Sequence, residues 1–215
     1  MKTLFIEARS DIEIRLSEKD LAKLPKELAL FTTVQFIDNI PALKSQLEKH
    51  NIKVKLFKSK HCKYYGQLLG CSIDKFPTDA FLYIGDGRFH PIALALKNNK
   101  PVFTYNPFTK KLEKLDDIDI KKIQGKQKGA LLKFHTSKEI GVLISLKPGQ
   151  FLLKEALKLQ KKYKEKNFYL LLFETLDFSQ LENFPFIECY VNTACPRLMD
   201  DYDKFTKPLI NIDDL

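Results

Sequence analysis

An apolar run, Ala80-Phe81-Leu82-Tyr83-Ile84, passes directly into Gly85-Asp86-Gly87-Arg88-Phe89-His90-Pro91. Unbroken apolar residues over that length read as a strand buried on both faces, the pattern of a parallel sheet. Two glycines around an aspartate make a tight polar turn. Ile92-Ala93-Leu94-Ala95-Leu96 then predicts a helix, closed by Asn98-Asn99. Strand, tight turn and helix is how open α/β sheets build a ligand crevice beyond the carboxyl ends of their strands. One explanation of the turn is purely structural, with Asp86 satisfying backbone groups. The other gives Arg88 a carboxylate or phosphate to grip with its planar fork, with His90 as a ligand, base or cap. Backbone N–H groups at the helix start would add anion affinity.

The rest of the chain repeats this alternation. Residues 4–7 read as a strand, and Ser17 with Asp20 has the spacing of a helix start. Leu28-Ala29-Leu30-Phe31 is a second buried-type strand, ending in Thr32-Thr33-Val34-Gln35. Ile37, Ile40, Leu43 and Leu47 follow at helical spacing, with Pro41 early enough to be tolerated. Residues 54–57 complete a β-α-β unit. Residues 58–78 form a long irregular loop holding Cys62 and Cys71, of a length that is usually functional or disordered. Its glycines and the Tyr64-Tyr65 pair argue for order, and Gly70 would let a ligand approach the backbone beside Cys71. Residues 101–104 are a further strand, and the charged stretch 110–119 reads as a linker.

Beyond a lysine-rich helical segment over residues 120–137, the pattern restarts. Residues 140–145 are a strand leading into Lys147-Pro148-Gly149-Gln150, and residues 151–166 are a helix with Leu153, Ala156, Leu157 and Tyr163 on its apolar face. Residues 168–173 and 187–191 are strands, and the second delivers Asn192-Thr193-Ala194-Cys195-Pro196-Arg197. Asp200-Asp201-Tyr202-Asp203 opens a short helix before a final strand at 209–210. In each half an apolar strand ends in a turn closing on glutamine, at Gln35 and at Gln150, and an amphipathic helix and a lone-cysteine motif follow. The expected fold is α/β, two similar Rossmann-like three-layer domains with mostly parallel sheets: a connecting segment over residues 1–27, one domain over 28–115 and one over 116–215.

Composition narrows the class. The chain of 215 residues carries 36 Lys and Arg against 27 Asp and Glu, a net charge of +9. Much of the excess is lysine at helix-face spacing, as in Lys121-Lys122 and Lys161-Lys162. No arginine-rich cluster with interleaved aromatics appears, so direct reading of nucleic acid is not expected. No apolar run approaches membrane length and the amino terminus lacks a leader-like run. These readings give the expectation of a cytoplasmic protein with no membrane association.

In a reducing compartment the four cysteines are thiols, metal ligands or catalytic groups rather than disulfides. Cys189 lies within a strand pattern and reads as core. Cys62 reads as surface, with Lys60 and Lys63 placed to lower its pKa. His61 and His135 have no evident partner. Cys71 and Cys195 sit in loops; each is either a small buried hydrophobe or a soft ligand suited to an iron–sulfur cluster.

Gly66-Gln67-Leu68-Leu69-Gly70-Cys71, then Gly85-Asp86-Gly87-Arg88-Phe89-His90-Pro91, then Asn192-Thr193-Ala194-Cys195-Pro196-Arg197, together with Thr32-Thr33-Val34-Gln35, resemble in order and spacing the archaeal diphthamide synthase iron–sulfur subunit family. The resemblance runs from about Leu28 to the end, matching the second and third domains of a three-domain family. It implies a [4Fe–4S] cluster held by one cysteine from each domain. It further implies S-adenosylmethionine as substrate, and transfer of its 3-amino-3-carboxypropyl group, as a radical, to a histidine of translation elongation factor 2. By motif, Cys71 and Cys195 are the second- and third-domain ligands, and Gln35, Arg88, His90 and Gln150 line the pocket for the amino-acid end of the substrate. No catalytic residue beyond the cluster ligands is assigned. The family's first domain, with its cysteine, has no full counterpart in residues 1–27, and Cys62 does not match its position. The expected partner is therefore a separate first-domain polypeptide or a paralogue, in a homo- or heterodimer. A non-catalytic scaffold subunit and a nucleotide- or anion-binding α/β protein are the alternatives.

Overall fold

The computed structural model describes residues 4, 6–70, 73–147 and 149–215, with the side chains of Asp200 and Asp203 not described. Two compact units divide the chain, residues 1–120 and 121–215.

The first unit is a five-stranded sheet. Strand β1 (Glu27–Thr32) is flanked by β2 (Lys53–Lys55) on one side and β3 (Phe81–Ile84) on the other; β4 (Val102–Asn106) and β5 (Lys111–Lys114) follow, giving the order β2-β1-β3-β4-β5 with β3 in the middle. The first four strands are parallel, with Leu30 opposite Leu82 and Thr32 opposite Ile84. All four residues of β3 are buried, as its unbroken apolar run requires. Helix α1 (Glu18–Leu21) begins at Ser17, whose hydroxyl accepts from the Asp20 N–H, the expected cap. Helix α2 (Ile40–Lys49) carries Pro41 in its first turn and buries Ile40, Leu43 and Leu47. Helix α3 (Phe89–Asn98) buries Ala93, Leu94 and Ala95 and ends on Asn99 in the left-handed conformation.

Two local expectations for this unit are corrected, and a third feature was not anticipated. Leu4, Ile6 and Glu7 are not in a strand; Leu4 and Ile6 are more than four-fifths exposed, and Glu7 is engaged by side chains instead of a sheet. The charged stretch 110–119 is not a linker. It contains β5, antiparallel to β4, because Asn106 Oδ1 accepts from the N–H groups of Phe108 and Thr109 and Lys110 takes a positive φ of 53°, so the chain reverses. Leu112 is buried while Lys111, Glu113 and Lys114 face solvent, a usual protection for an edge strand. Residues 10–16 form an extended strap held by side-chain amides. The Ile14 N–H donates to Asn39 Oδ1, Asn39 Nδ2 to the Ile12 carbonyl, and Gln46 pairs with both backbone groups of Leu16. Ile14 and Leu16 thereby reach the core.

The second unit is built on the same plan. Strand β6 (Glu139–Ser145) is central, β7 (Asn167–Phe173) lies on one side, and β8 (Cys189–Asn192) and β9 (Leu209–Asn211) lie on the other, all parallel, in the order β7-β6-β8-β9. Helix α4 (Asp117–Thr136) leads into it. Its last carbonyls are capped by Lys166, whose ammonium is buried and donates to His135 and Ser137, a favourable place for a cation. One expectation is corrected: helix α5 (Leu153–Lys162) is shorter than residues 151–166, with Leu152 and Tyr163 in non-helical conformations at its two ends. It buries Ala156 and Leu159, while Leu157 is exposed.

Candidate functional site

In both sheets the chain leaves the first strand, β1 or β6, toward one side and returns on the other. The crevice expected of an open α/β sheet therefore lies beyond the carboxyl ends of β1 and β3 in the first unit, and of β6 and β8 in the second.

At the first crevice the strand ends are fastened. The buried Thr32 hydroxyl donates to the Ile84 carbonyl at 2.7 Å. On the other flank, residues 66–68 return to Thr32. The Thr32 N–H donates to Gly66 and the Leu68 N–H to Thr32, and Gly66 takes the φ of +78° that this reversal needs. Gln67, buried, uses Oε1 to accept from the N–H groups of Lys63 and Tyr64. Gln35 follows β1 in a 3₁₀ segment (Val34–Asn39) with its side chain exposed and its carbonyl accepting from the Ser10 N–H.

The turn after β3 is organised by two side chains. Asp86 Oδ1 accepts from the Gly87 N–H and from Asn106 Nδ2, both at 2.8 Å, so the structural role proposed for this aspartate holds. Gly87 adopts φ +73°. A Cβ on Gly85 would sit 2.7 Å from the Tyr83 hydroxyl, so glycine is required under that ring. Arg88 is exposed, and its Nη2 donates to Asp119 Oδ2 at 2.6 Å. His90, in the first turn of α3, stacks on Tyr83 at 5.5 Å and 19° and bonds its hydroxyl through Nδ1 at 3.1 Å. Burial, with a smaller contribution from the Asp86 charge, pushes the Tyr83 phenol far above its ordinary range, so it stays protonated.

Gly70 has a different reason from the one the sequence suggests. A Cβ there would lie 2.0 Å from Phe89 Cε1. The Phe89 ring, not a ligand, takes the space over this glycine, and the loop is seated against the start of α3. Cys71, the next residue, lies outside the described residues. In the order of elements it belongs to the connection from β2 to β3, whereas Cys195 follows β8. The two cysteine loops therefore do not occupy equivalent places. The counterpart of the Cys195 loop is the turn after β3.

At the second crevice, Cys195 is half-buried and precedes a 3₁₀ segment (Pro196–Lys204). Three residues hold it there, two from the motif itself and one, Asn211, unremarked in the sequence. Asn192, buried at the end of β8, donates to the Cys195 carbonyl at 2.8 Å and to Asn211 Oδ1 at 2.7 Å, and accepts from the Ala194 N–H at 2.9 Å. Thr193 donates its hydroxyl to the Leu143 carbonyl, fastening β8 to β6. Asn211 also donates to the Pro196 carbonyl. Gln150 follows β6 in a turn, half-buried, with its N–H on the Lys147 carbonyl and Gly149 at φ +80°; Pro148 lies outside the described residues.

The other cysteines separate cleanly. Cys189 is buried, and burial pushes its thiol up to about 12, which removes it as a thiolate. Cys62 is 6% exposed, so its assignment to the surface is corrected. The turn at Ser59, whose carbonyl accepts from the Cys62 N–H, folds it inward. His135 packs edge-on against Phe134 and Tyr163. Among the described residues, no three His, Cys, Asp or Glu side chains converge as a metal site. As a soft donor in a half-exposed loop at a strand end, Cys195 suits one ligand position of an iron–sulfur cluster. No helix of the described residues is long and apolar enough to cross a membrane.

Comparison with known proteins identifies the family and the fold. The family model of diphthamide synthesis proteins matches residues 1–215. The chain is 32% identical over 218 residues to 2-(3-amino-3-carboxypropyl)histidine synthase of Pyrococcus horikoshii, covering 97% of this chain and 63% of that protein. The synthase of the same name from Methanocaldococcus jannaschii is 30% identical over 225 residues, covering 97% and 59%. Among solved structures, Dph2 from Pyrococcus horikoshii with a 4Fe-4S cluster superposes with a TM-score of 0.78 at 30% identity, over 91% of this chain and 58% of that one. The chain thus spans about three fifths of the length of these relatives.

Proposed function

Because the chain belongs to the family of diphthamide synthesis proteins, we propose that it contributes cluster- and substrate-binding residues to a 2-(3-amino-3-carboxypropyl)histidine synthase. The reaction is transfer of the 3-amino-3-carboxypropyl group of S-adenosylmethionine to a histidine of translation elongation factor 2. Cys71 and Cys195 are the thiolate ligands for a [4Fe–4S] cluster, with the remaining thiolate assigned to a partner chain, a first-domain polypeptide or a paralogue. When bound, the cluster supplies the electron for reductive cleavage of the sulfonium.

The chain's own residues bind and orient. Gln35, Arg88, His90 and Gln150 take the amino-acid end of the substrate. Arg88 offers its fork to the carboxylate, and His90, held against Tyr83, is a second polar contact. The supporting observation is that within each unit these residues follow the carboxyl ends of strands flanking its own switch point: Gln35 after β1 and Arg88 and His90 after β3 in the first, Gln150 after β6 in the second.

The test is anaerobic reconstitution of the full chain with iron and sulfide, alone and with a first-domain partner. The cluster's charge-transfer absorbance is expected in the wild type and lost in Cys71→Ala and in Cys195→Ala, while Cys189→Ala retains it. Absorbance that survives both ligand substitutions overturns the assignment.

A further inference from the structure

Arg88 does not stand alone at its crevice. Its Nη2 donates to Asp119 Oδ2 at 2.6 Å, and the two side chains remain 55% and 46% exposed. Asp119 lies in the first turn of α4, where the other acid, Asp117, is turned toward Lys114 at 3.9 Å. Asp119 is thus the acid of that turn directed at the loop after β3. An ion pair this exposed contributes little to folding.

Its chemistry is more specific than its stability. A guanidinium has five N–H donors and this contact uses one, leaving a bidentate pair for a carboxylate. Asp119 Oδ1 has no donor among the described residues. Guanidinium donors and a carboxylate acceptor therefore stand side by side at the mouth of one crevice. A lone arginine would accept any small anion. The pair instead matches a zwitterion whose ammonium and carboxylate share one carbon, and Asp119 repels phosphates and dicarboxylates.

We infer that Asp119 is the receptor for the α-ammonium of an amino-acid-bearing ligand, with Arg88 holding the α-carboxylate. This rests on the reading that the crevice takes the amino-acid end of S-adenosylmethionine, and makes Asp119 a specificity residue of that site. Binding opens the Arg88–Asp119 contact and replaces it with two charge-assisted contacts to the ligand.

The experiment is calorimetric titration of the full chain with three probes. S-adenosylhomocysteine has both charged groups, S-(5′-adenosyl)-4-mercaptobutyrate has the carboxylate without the amine, and 5′-methylthioadenosine has neither. Asp119→Asn keeps the shape of an exposed side chain and removes its charge. It is expected to weaken S-adenosylhomocysteine roughly five- to tenfold, the loss of one partly exposed charge-assisted hydrogen bond, and to leave the mercaptobutyrate analogue as tight or tighter. Arg88→Ala weakens both carboxylate probes, and neither substitution changes methylthioadenosine. Unchanged S-adenosylhomocysteine binding in Asp119→Asn, or equal weakening of both carboxylate probes, overturns the inference while leaving the site intact. Wild-type binding of S-adenosylhomocysteine no tighter than methylthioadenosine overturns the underlying reading, and the inference with it.

Discussion

Replacing Asn192 with alanine tests whether the Cys195 loop is fixed by one buried amide. The side chain is 1% exposed and makes three hydrogen bonds, to Cys195 O, Asn211 Oδ1 and Ala194 N. Two of the partners have other bonds: Cys195 O also accepts from the Leu198 N–H, and Asn211 still donates to Pro196. The Ala194 N–H loses the acceptor described here. At about 1 kcal/mol per bond, the sum is about 3 kcal/mol, with the orphaned amide pushing it upward. Residues 121–215 form the affected unit, 95 residues by difference. A domain of that size loses roughly 4–8 °C in Tm per kcal/mol, so its transition falls by roughly 12–24 °C. In urea the midpoint falls by about 1–3 M. Circular dichroism during thermal and urea unfolding reads both quantities. Asn192→Asp retains the acceptor for Ala194 but sets an anion against two carbonyl-type oxygens, so at neutral pH it is expected to lose at least as much. A loss below about 1 kcal/mol in Asn192→Ala, the worth of a single ordinary hydrogen bond, refutes the argument that this amide organises the loop.

Other outcomes follow from the same geometry. Gly141→Ala drives a Cβ to 2.7 Å from the buried Tyr190 ring and 2.9 Å from Ile187, so overpacking costs about 1–3 kcal/mol, measured by urea unfolding; a neutral result would mean the ring moves freely. Iodoacetamide at pH 8 followed by mass spectrometry is expected to label Cys195 in the native protein and Cys189 only after unfolding, because burial holds the Cys189 thiol up at about 12. Hydrogen bonds from Lys63, then Arg9 and Tyr64, hold the Glu7 carboxyl down at about 2, against an ordinary 4.5. Its stabilisation is therefore complete above 4.5 and fades as pH falls toward 2. The Tm difference between wild type and Glu7→Gln should shrink across that window, and a constant difference contradicts the role of the charge. Lys166→Met strips the last carbonyls of α4 of their buried ammonium and is expected to cost about 1–3 kcal/mol by the same unfolding assay.

Several elements were legible because their information is local. The apolar run 81–84 reads as a strand buried on both faces, and it lies between two parallel neighbours. Ser17 caps α1, Pro41 opens α2 and Asn99 closes α3, since each reports its own backbone geometry. The same locality explains the errors. Residues 110–114 look like a charged linker until the Asn106 side chain turns them back onto β4. Leu4 and Ile6 alternate like a strand but among the described residues no strand lies beside them. Cys62 has lysine neighbours and is nevertheless folded inward.

The sequence alone determined the α/β class, the placement of glutamine after two apolar strands, and the motifs that identify the family. Only the tertiary structure decided what the motif residues touch. Arg88 meets Asp119 across 31 positions, Asn192 meets Asn211 across 19, and the strap at 10–16 is held by amides from α2 and the segment before it. The same is true of Gly70, whose glycine answers to the Phe89 ring. The physical reason is that periodicity and caps act within a few residues, whereas side-chain partners follow from strand order and register. Those are fixed only when the whole sheet assembles.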